Sequence, residues 1–243
     1  MDDVIILAGG KCPPDLAEAS GSEWRADLAV NGKTMLSTVR AAVESWGEPL
    51  VIGGPEGIAP RQVQAGNSFV ESLRIGMEAT TGTSVLMATV DLPFLTRASI
   101  QDFLAAAPGD ADLAYPIVPA AVCDRDFPML KRTTLTLKEG KFTGGNIALL
   151  NREAVLKNLH ILERAYEARK NPLELARIVG VGTLARLVVG KFFPAVLPIA
   201  KLESAVGRTL GFKVRAVVTD HSGIGTDIDS LEQWRIVQAM VSS

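Results

Sequence analysis

The sequence predicts an α/β protein of the three-layer α/β/α, Rossmann-like class, with a mostly parallel sheet and a helical insertion. Three observations carry this expectation. Short, β-branched and nearly continuous apolar runs recur along the chain, the pattern of strands covered on both faces. Segments with apolar residues at helical spacing lie between those runs. The 243 residues, 47% hydrophobic and 21% charged, are enough to build one domain around a sizeable core.

The expected strands are "VIILAG" (4–9), "LVIGG" (50–54), "SVLMATVD" (84–91), "DLAYPIV" (112–118) and "KVRAVVT" (213–219). The expected helices between them are "TMLSTVRAAVESW" (34–46), stopped by Gly47, then "SFVESLRIGMEA" (68–79) and "RASIQDFLAAA" (97–107). Strand–helix alternation of this kind calls for right-handed crossovers in a doubly wound sheet. After residue 150 the balance shifts. "REAVLKNLHILERAYEARK" (152–170) reads as one amphipathic helix ended by Asn171-Pro172, followed by the shorter candidates "LELARIVG" and "GTLARLVVG". "ESAVGRTLG" then leads into the last strong strand, and "DSLEQWRIVQAMV" reads as a further helix with Asp229 or Ser230 as its N-cap. The chain is therefore expected to form a single domain, 1–243, with a helical insertion at about 152–211.

Composition excludes several classes of function. A net charge of −2 gives no basic field to recruit nucleic acid or an anionic membrane. Two cysteines, Cys12 and Cys123, make no disulfide framework, and two histidines without a Cys-x-x-Cys give zinc little to bind. The run after "MDD" is too short for a signal peptide, so a cytoplasmic location is expected. "GTLARLVVGKFFPAVLPIAKL" is strongly apolar, but Arg186, Lys191, Pro194 and Pro198 interrupt it, and no membrane span is expected. It reads as two helical pieces with a proline-containing bend packed on the domain. A homodimer contact and an apolar substrate wall are the alternatives.

In open α/β sheets, ligands bind beyond the carboxyl ends of the strands. Gly9, Gly10 and Lys11 follow the first expected strand, and Gly53-Gly54 the second. Asp91 ends the third, and "TDHSGIGTDIDS", with Asp227 and Asp229, follows the last. Glycines let a ligand approach backbone N–H groups, and a neighbouring lysine suits phosphate. An aspartate after a strand is commonly only a cap or turn former. Glycines and carboxylates on one edge say more: a carboxylate from an interior strand and one from the last strand could hold Mg²⁺ through oxygen. His221 lies in a glycine-rich loop and reads as solvated.

"VIILAGG", "WRADLAVNGKTML", "VDLPFL" and "TDIDSLEQW", in that order, resemble the nucleotidyltransferases of the glycosyltransferase-A-type fold. Within that fold the resemblance is to MobA-like molybdenum cofactor guanylyltransferases and to methylerythritol phosphate cytidylyltransferases. "GNSFVESLRIGMEA" (66–79) is similar to the loop and helix after the second strand of the cytidylyltransferases. The resemblance implies that Gly9 and Gly10 sit in the phosphate-binding loop, with Leu7 and Ala8 also nucleotide-binding and Asn67 and Ser68 near the base. It implies Asp91 and Asp229 as ligands of Mg²⁺. The family loop usually continues Gly-x-x-x-Arg-Met-Gly and then Pro-Lys; here it reads "GGKCPPDLAEASGSEWRAD". Arg25 stands where the family lysine would be and Trp24 replaces the proline, so Arg25 and Lys11 become the expected catalytic cations. Arginine keeps the charge but not the compact ammonium.

"KFTGGNIALLNRE" (141–153) lies where the family presents its acceptor, which marks Gly144, Gly145 and Asn146 as acceptor-binding. Lys131, Arg132, Lys138 and Lys141 precede it and could meet an acceptor phosphate; an ordinary hairpin with solvated lysines is the alternative. The implied reaction uses an NTP and a small phosphorylated or hydroxyl-bearing acceptor, with release of pyrophosphate. Two other readings stay open: a glycosyltransferase using a nucleotide-sugar, for which "DID" (227–229) supplies an Asp-x-Asp, and a nucleotide-binding protein without turnover.

Overall fold

The computed structural model of the chain describes residues 2–168 and 197–241. Its centre is a nine-stranded mixed sheet. The strands are β1 (Asp3–Leu7), β4 (Leu50–Ile52), β5 (Gln62–Val63), β6 (Ser84–Thr89), β7 (Leu113–Pro119), β8 (Leu135–Leu137), β9 (Gly140–Gly144), β10 (Ile147–Asn151) and β11 (Val214–Val218). A separate two-stranded ribbon is made by β2 (Ala29–Val30) and β3 (Lys33–Thr34). The order is β5-β4-β1-β6-β10-β7-β9-β8, with β11 paired to β7. Following the pairings, every strand runs the same way except β9 and β10. The parallel expectation thus holds for the strands whose carboxyl ends bear the site.

The two exceptions are one bulged segment. Gly144 pairs with Ile117 and Leu149 with Ala114, so residues 145–148 cover a span that β7 crosses with residues 115–116. The surplus is a bulge that pushes Gly145-Asn146 out of the ladder. β8 and β9 form the hairpin that the sequence left as an alternative.

Alternation along β1 shows the double winding. Val4, Ile6 and Ala8 face one core with Leu36, Val39, Ile100 and Phe103; Ile5 and Leu7 face a second with Leu73, Met77 and Val155. The first core lies under α2 (Met35–Val43), α4 (Arg97–Ala106) and α9 (Leu231–Val241), the second under α3 (Phe69–Glu78), α6 (Arg152–Lys157) and α7 (Leu159–Ala168). The remaining helices are α1 (Pro14–Ser20), α5 (Ala120–Asp126) and α8 (Ile199–Leu210). Burial of each of these large apolar side chains contributes roughly 1.5–3 kcal/mol. Thr34 and Ser68 cap α2 and α3 by accepting from Ser37 N–H and Glu71 N–H.

Two expectations need correction. The single helix over 152–170 is two, broken at Asn158, whose Nδ2 donates to the Ala154 carbonyl. The amide there competes for the backbone and stops the helix. "ESAVGRTLG" is the later part of a longer helix, α8, which starts at Ile199. "LELARIVG", "GTLARLVVG", most of the apolar 182–202 stretch with its dimer-contact reading, and the middle of the 152–211 insertion lie outside the described residues. Among the described residues, no helix is long and apolar enough to cross a membrane.

Candidate active site

The site begins where β1 and β4 end. A Cβ on Gly9 would lie 2.8 Å from Ala65 Cβ, and one on Gly53 would lie 2.6 Å from Gly9 Cα. Gly53 also has φ +84°, so both glycines are demanded by close backbone approach. The chain from Gly10 to Arg25, carrying α1, is closed on itself: Cys12 N–H donates to the Glu23 carbonyl and Arg25 N–H to the Gly10 carbonyl. This folds the Arg25 side chain over Gly10, where an added Cβ would meet Arg25 Cδ at 3.4 Å.

The result is a cleft of about 520 Å³ lined by Leu7, Gly9, Gly10, Arg25, Asn67, Ser68, Phe69, Asp91 and Tyr166, among others. Five of the six residues expected to bind nucleotide therefore share one cavity. The sixth, Ala8, points the other way into the core, as strand alternation requires. Asn67 N–H donates to Glu71 Oε2 and Ser68 Oγ caps α3, so this wall is fixed by the start of that helix. Phe69 stacks on Tyr166 with ring centroids 5.3 Å apart. Lys11 is not brought here: its ammonium is bound to Glu23 and lies 4.9 Å from the Trp24 ring centroid, on the exposed side of the loop.

Asp91 follows β6, and the Ile228 N–H donates to its carbonyl, which locks the 219–229 loop across it. That loop passes very near the backbone: a Cβ on Gly223 would lie 2.2 Å from the Phe94 carbonyl oxygen. Asp91, Asp227 and Asp229 consequently converge, each offering a carboxylate oxygen within 4.8 Å of the others. Ser230, not Asp229, starts α9: its Oγ accepts from Gln233 N–H and Gln233 Oε1 accepts from Ser230 N–H. This capping box leaves the Asp229 carboxylate for the site.

Arg25 Nη1 lies 2.6 Å from Asp91 Oδ2 and 2.5 Å from Asp229 Oδ1. Arg25 and Asp91 are 20% and 14% exposed, so their pair is largely shielded from water; Asp229, at 56%, is not. Burial works against the Arg25 charge, but the two carboxylates outweigh it and hold the guanidinium above its ordinary range. Asp227 is pushed up to about 7, first by burial and then by Asp229 and Asp91. A third carboxylate with no countercharge of its own among the described residues is the electrostatic signature of a cation site. Three hard oxygen donors at this spacing fit Mg²⁺, and Arg25 supplies the balancing positive charge in the free protein.

On the other side of the cluster is a second cleft, also about 520 Å³, lined by Lys131, Arg132, Thr143, Gly144, Asn146, Asp227, Asp229 and Gln233, among others. Gly144 and Asn146 both line it. The backbone at Gly145 is instead tied into the fold, with its N–H donating to the Pro116 carbonyl and its carbonyl accepting from the Tyr115 hydroxyl at 2.5 Å. Burial and Asp227 raise the Tyr115 hydroxyl above its usual range, consistent with a phenol that keeps its proton and donates. Arg132 Nε and Nη1 are buried without a hydrogen-bond partner among the described residues. Sequence reasoning did not include Asp227 in the metal set, although "DID" carried it, and it missed Tyr115, for which no local signal exists. His221 pairs with Asp102 at 2.7 Å, outside both clefts.

Residues 4–170 match the model of the MobA-like NTP transferase domain. No functionally curated protein matches the chain in sequence. Among solved structures, a hypothetical transferase from Thermus thermophilus is 35% identical, with TM-score 0.86 over 96% of this chain and 100% of that one. The 2-C-methyl-D-erythritol 4-phosphate cytidylyltransferase of Thermus thermophilus is similar at 18% identity and TM-score 0.56, over 100% of both chains. A CMP:2-keto-3-deoxy-manno-octonic acid synthetase complexed with CTP aligns at 13% identity and TM-score 0.60, over 99% of this chain and 98% of that one. The last two likenesses concern the fold, whose strand ends carry the two clefts described above. The chain belongs to the MobA-like NTP transferase domain family and is a nucleotidyltransferase.

Proposed function

We propose that the protein is a Mg²⁺-dependent enzyme that moves a nucleoside monophosphate from an NTP to a small phosphorylated or hydroxyl-bearing acceptor. The observation that carries this reading is the carboxylate cluster at the junction of two clefts. The cleft against Gly9, Gly10, Asn67 and Ser68 takes the NTP. The cleft against Gly144 and Asn146, with Lys131 and Arg132, takes the acceptor. Asp91, Asp227 and Asp229 would hold the metal, which when bound neutralises charge on the triphosphate and on the departing pyrophosphate.

In the reaction an acceptor oxygen attacks the α-phosphorus in line. A new P–O bond forms, the bond to the bridging α–β oxygen breaks, and pyrophosphate leaves with the electron pair. A phosphate acceptor needs no base, so positioning and charge supply the catalysis. Arg25, whose side chain lies over Gly10, would be released by a metal held at Asp91 and Asp229 and could then meet the triphosphate. Lys11, held by Glu23, takes no part in this scheme. The cytidylyltransferase likenesses favour CTP as donor, and a cytoplasmic setting with a free NTP pool fits the reading.

Calorimetric titration with CTP, GTP, ATP and UTP, each with Mg²⁺ and with EDTA, tests it. Metal-dependent binding of one triphosphate is expected; no binding of any of them would overturn the assignment. Release of pyrophosphate, as opposed to a nucleoside diphosphate, separates the reaction from glycosyl transfer.

A further inference from the structure

A third cavity, of about 350 Å³, lies between the sheet and α8. Its described walls are apolar: Leu113 and Ile117 of β7, Leu137 of β8, and Ile199, Leu202 and Val206 of α8. The charged side chains among its described lining residues are both engaged elsewhere. Glu203 Oε1 accepts from Ala216 N–H, and Arg215 meets Asp110 at 3.5 Å. A volume of this size falls in the range of small-molecule sites.

Its position is the informative part. Tyr115, Leu135, Phe142, Thr143 and Gly144 line both this cavity and the acceptor cleft. The two spaces adjoin at these residues, the acceptor cleft polar and cationic and the α8 cavity apolar. At the polar end, Arg132 lines the cleft with its Nη2 donating to the Phe127 and Leu130 carbonyls, beside exposed Lys131. Two cations on one cleft suit a phosphate or other anion, whereas the only charged groups among the described residues at the apolar end, Glu203 and Arg215, are already engaged and offer a sugar or polyol little.

We infer that the acceptor is amphipathic: a phosphate monoester whose ester carbon continues into an apolar chain, with the phosphate at Lys131 and Arg132 and the chain in the α8 cavity. This rests on the nucleotidyl-transfer reading and names its acceptor class. The phosphate oxygen forms the bond to the α-phosphorus, the α–β bond breaks, pyrophosphate departs, and the chain takes no part in the chemistry. Each methylene removed from water tightens binding by about fourfold when fully buried.

The test compares ethyl phosphate with octyl phosphate, below its micelle concentration, by calorimetry on the whole protein. Val206→Trp and the milder Val206→Phe fill the cavity from α8. Octyl phosphate is expected to bind at least about thirtyfold more tightly than ethyl phosphate. Both substitutions should shrink that ratio to a few-fold, while ethyl phosphate and Mg²⁺–CTP bind as to the parent. Equal affinity of the two phosphates in the parent would overturn the inference and give the cavity to another occupant, the chain itself included. So would a chain-length preference that survives both substitutions in protein that still binds Mg²⁺–CTP. Failure of the parent to bind any Mg²⁺–nucleoside triphosphate, read in a separate titration, would overturn the donor reading and with it the acceptor role.

Discussion

The two clefts, proposed above for donor and acceptor, open on the same sheet edge and meet at a carboxylate cluster, yet they are built differently. The floor of the donor side is made of backbone. Three chain segments, at Gly9, Gly53 and Ala65, touch so closely that no Cβ fits between them. The acceptor side is made of side chains leaning on a bulge, with Tyr115 holding the Gly145 carbonyl and filling the space over Gly144. A backbone-built floor offers the same cradle to the phosphates whatever the base, leaving base choice to the Asn67–Ser68 wall, whereas a side-chain-built cleft can be recut for a different acceptor by a few substitutions. This fits a fold reused for many acceptors.

The sharpest way to break the comparison is at the joint. Asp91→Asn should weaken Mg²⁺–NTP binding by more than about a hundredfold, a metal ligand weighing at least as much as the groups that orient one. It should still fold, with a stability loss no larger than that of Arg25→Ala because Arg25 keeps Asp229; undiminished binding would remove Asp91 from the metal set. The glycines come next. Gly53→Ala should cost about 1–3 kcal/mol in denaturant unfolding, because its clash is with backbone and its φ is left-handed. Gly144→Ala should cost a similar amount, about 1–3 kcal/mol by overpacking. There the clash is with the Tyr115 hydroxyl, at 2.5 Å. Adding Tyr115→Phe should recover part of the Gly144→Ala loss and none of the Gly53→Ala loss. Equal recovery in both would erase the distinction between the two clefts.

Arg25→Ala should destabilise the metal-free protein by about 1–3 kcal/mol, less than a fully buried pair because Asp229 is half open to water. Magnesium should then raise the melting temperature of the variant more than that of the parent, since nothing else balances the cluster. Asp227 gives a pH signature. Its folded value near 7 exceeds the ordinary 3.8, so the folded protein holds a proton that the unfolded chain has released. That contribution is fully present below pH 3.8 and is lost as pH rises through about 7. Metal-free stability should decline across that window, and Asp227→Asn should flatten the decline. The smallest effect belongs to Lys11→Ala. With its ammonium exposed and spent on Glu23, it should shift stability by no more than about 1 kcal/mol and leave triphosphate affinity unchanged.

The same difference decides what the sequence revealed. Strands such as β1 and β6 are legible because continuous apolar runs have one reading in a sheet buried on both faces, and the glycines and aspartates at their ends then fall on the ligand edge. Arg25 was reachable by counting back from "GKTML", whereas Lys11, nearer the glycines in sequence, is carried away by the Lys11–Trp24 bridge. The bulge at Gly145-Asn146 is not legible, because it is a mismatch of register between two strands and exists in neither alone. Tyr115 reads only as one more residue of an apolar strand. Asn158 splits a helix that periodicity alone joins, since the competing amide does not disturb the apolar stripe.

Arg25 touches Asp91 across 66 positions of chain and Asp229 across 204. Contacts of such separation form only after loop closure has been met by the rest of the sheet. The cluster is therefore a late property of the folding chain: a collapsed intermediate can bury β1, β4 and β6 while Asp227 and Asp229 are still elsewhere. Such a species would present the glycine cradle and Asp91 without the other two carboxylates, so the proposed metal affinity would double as a report that folding is finished.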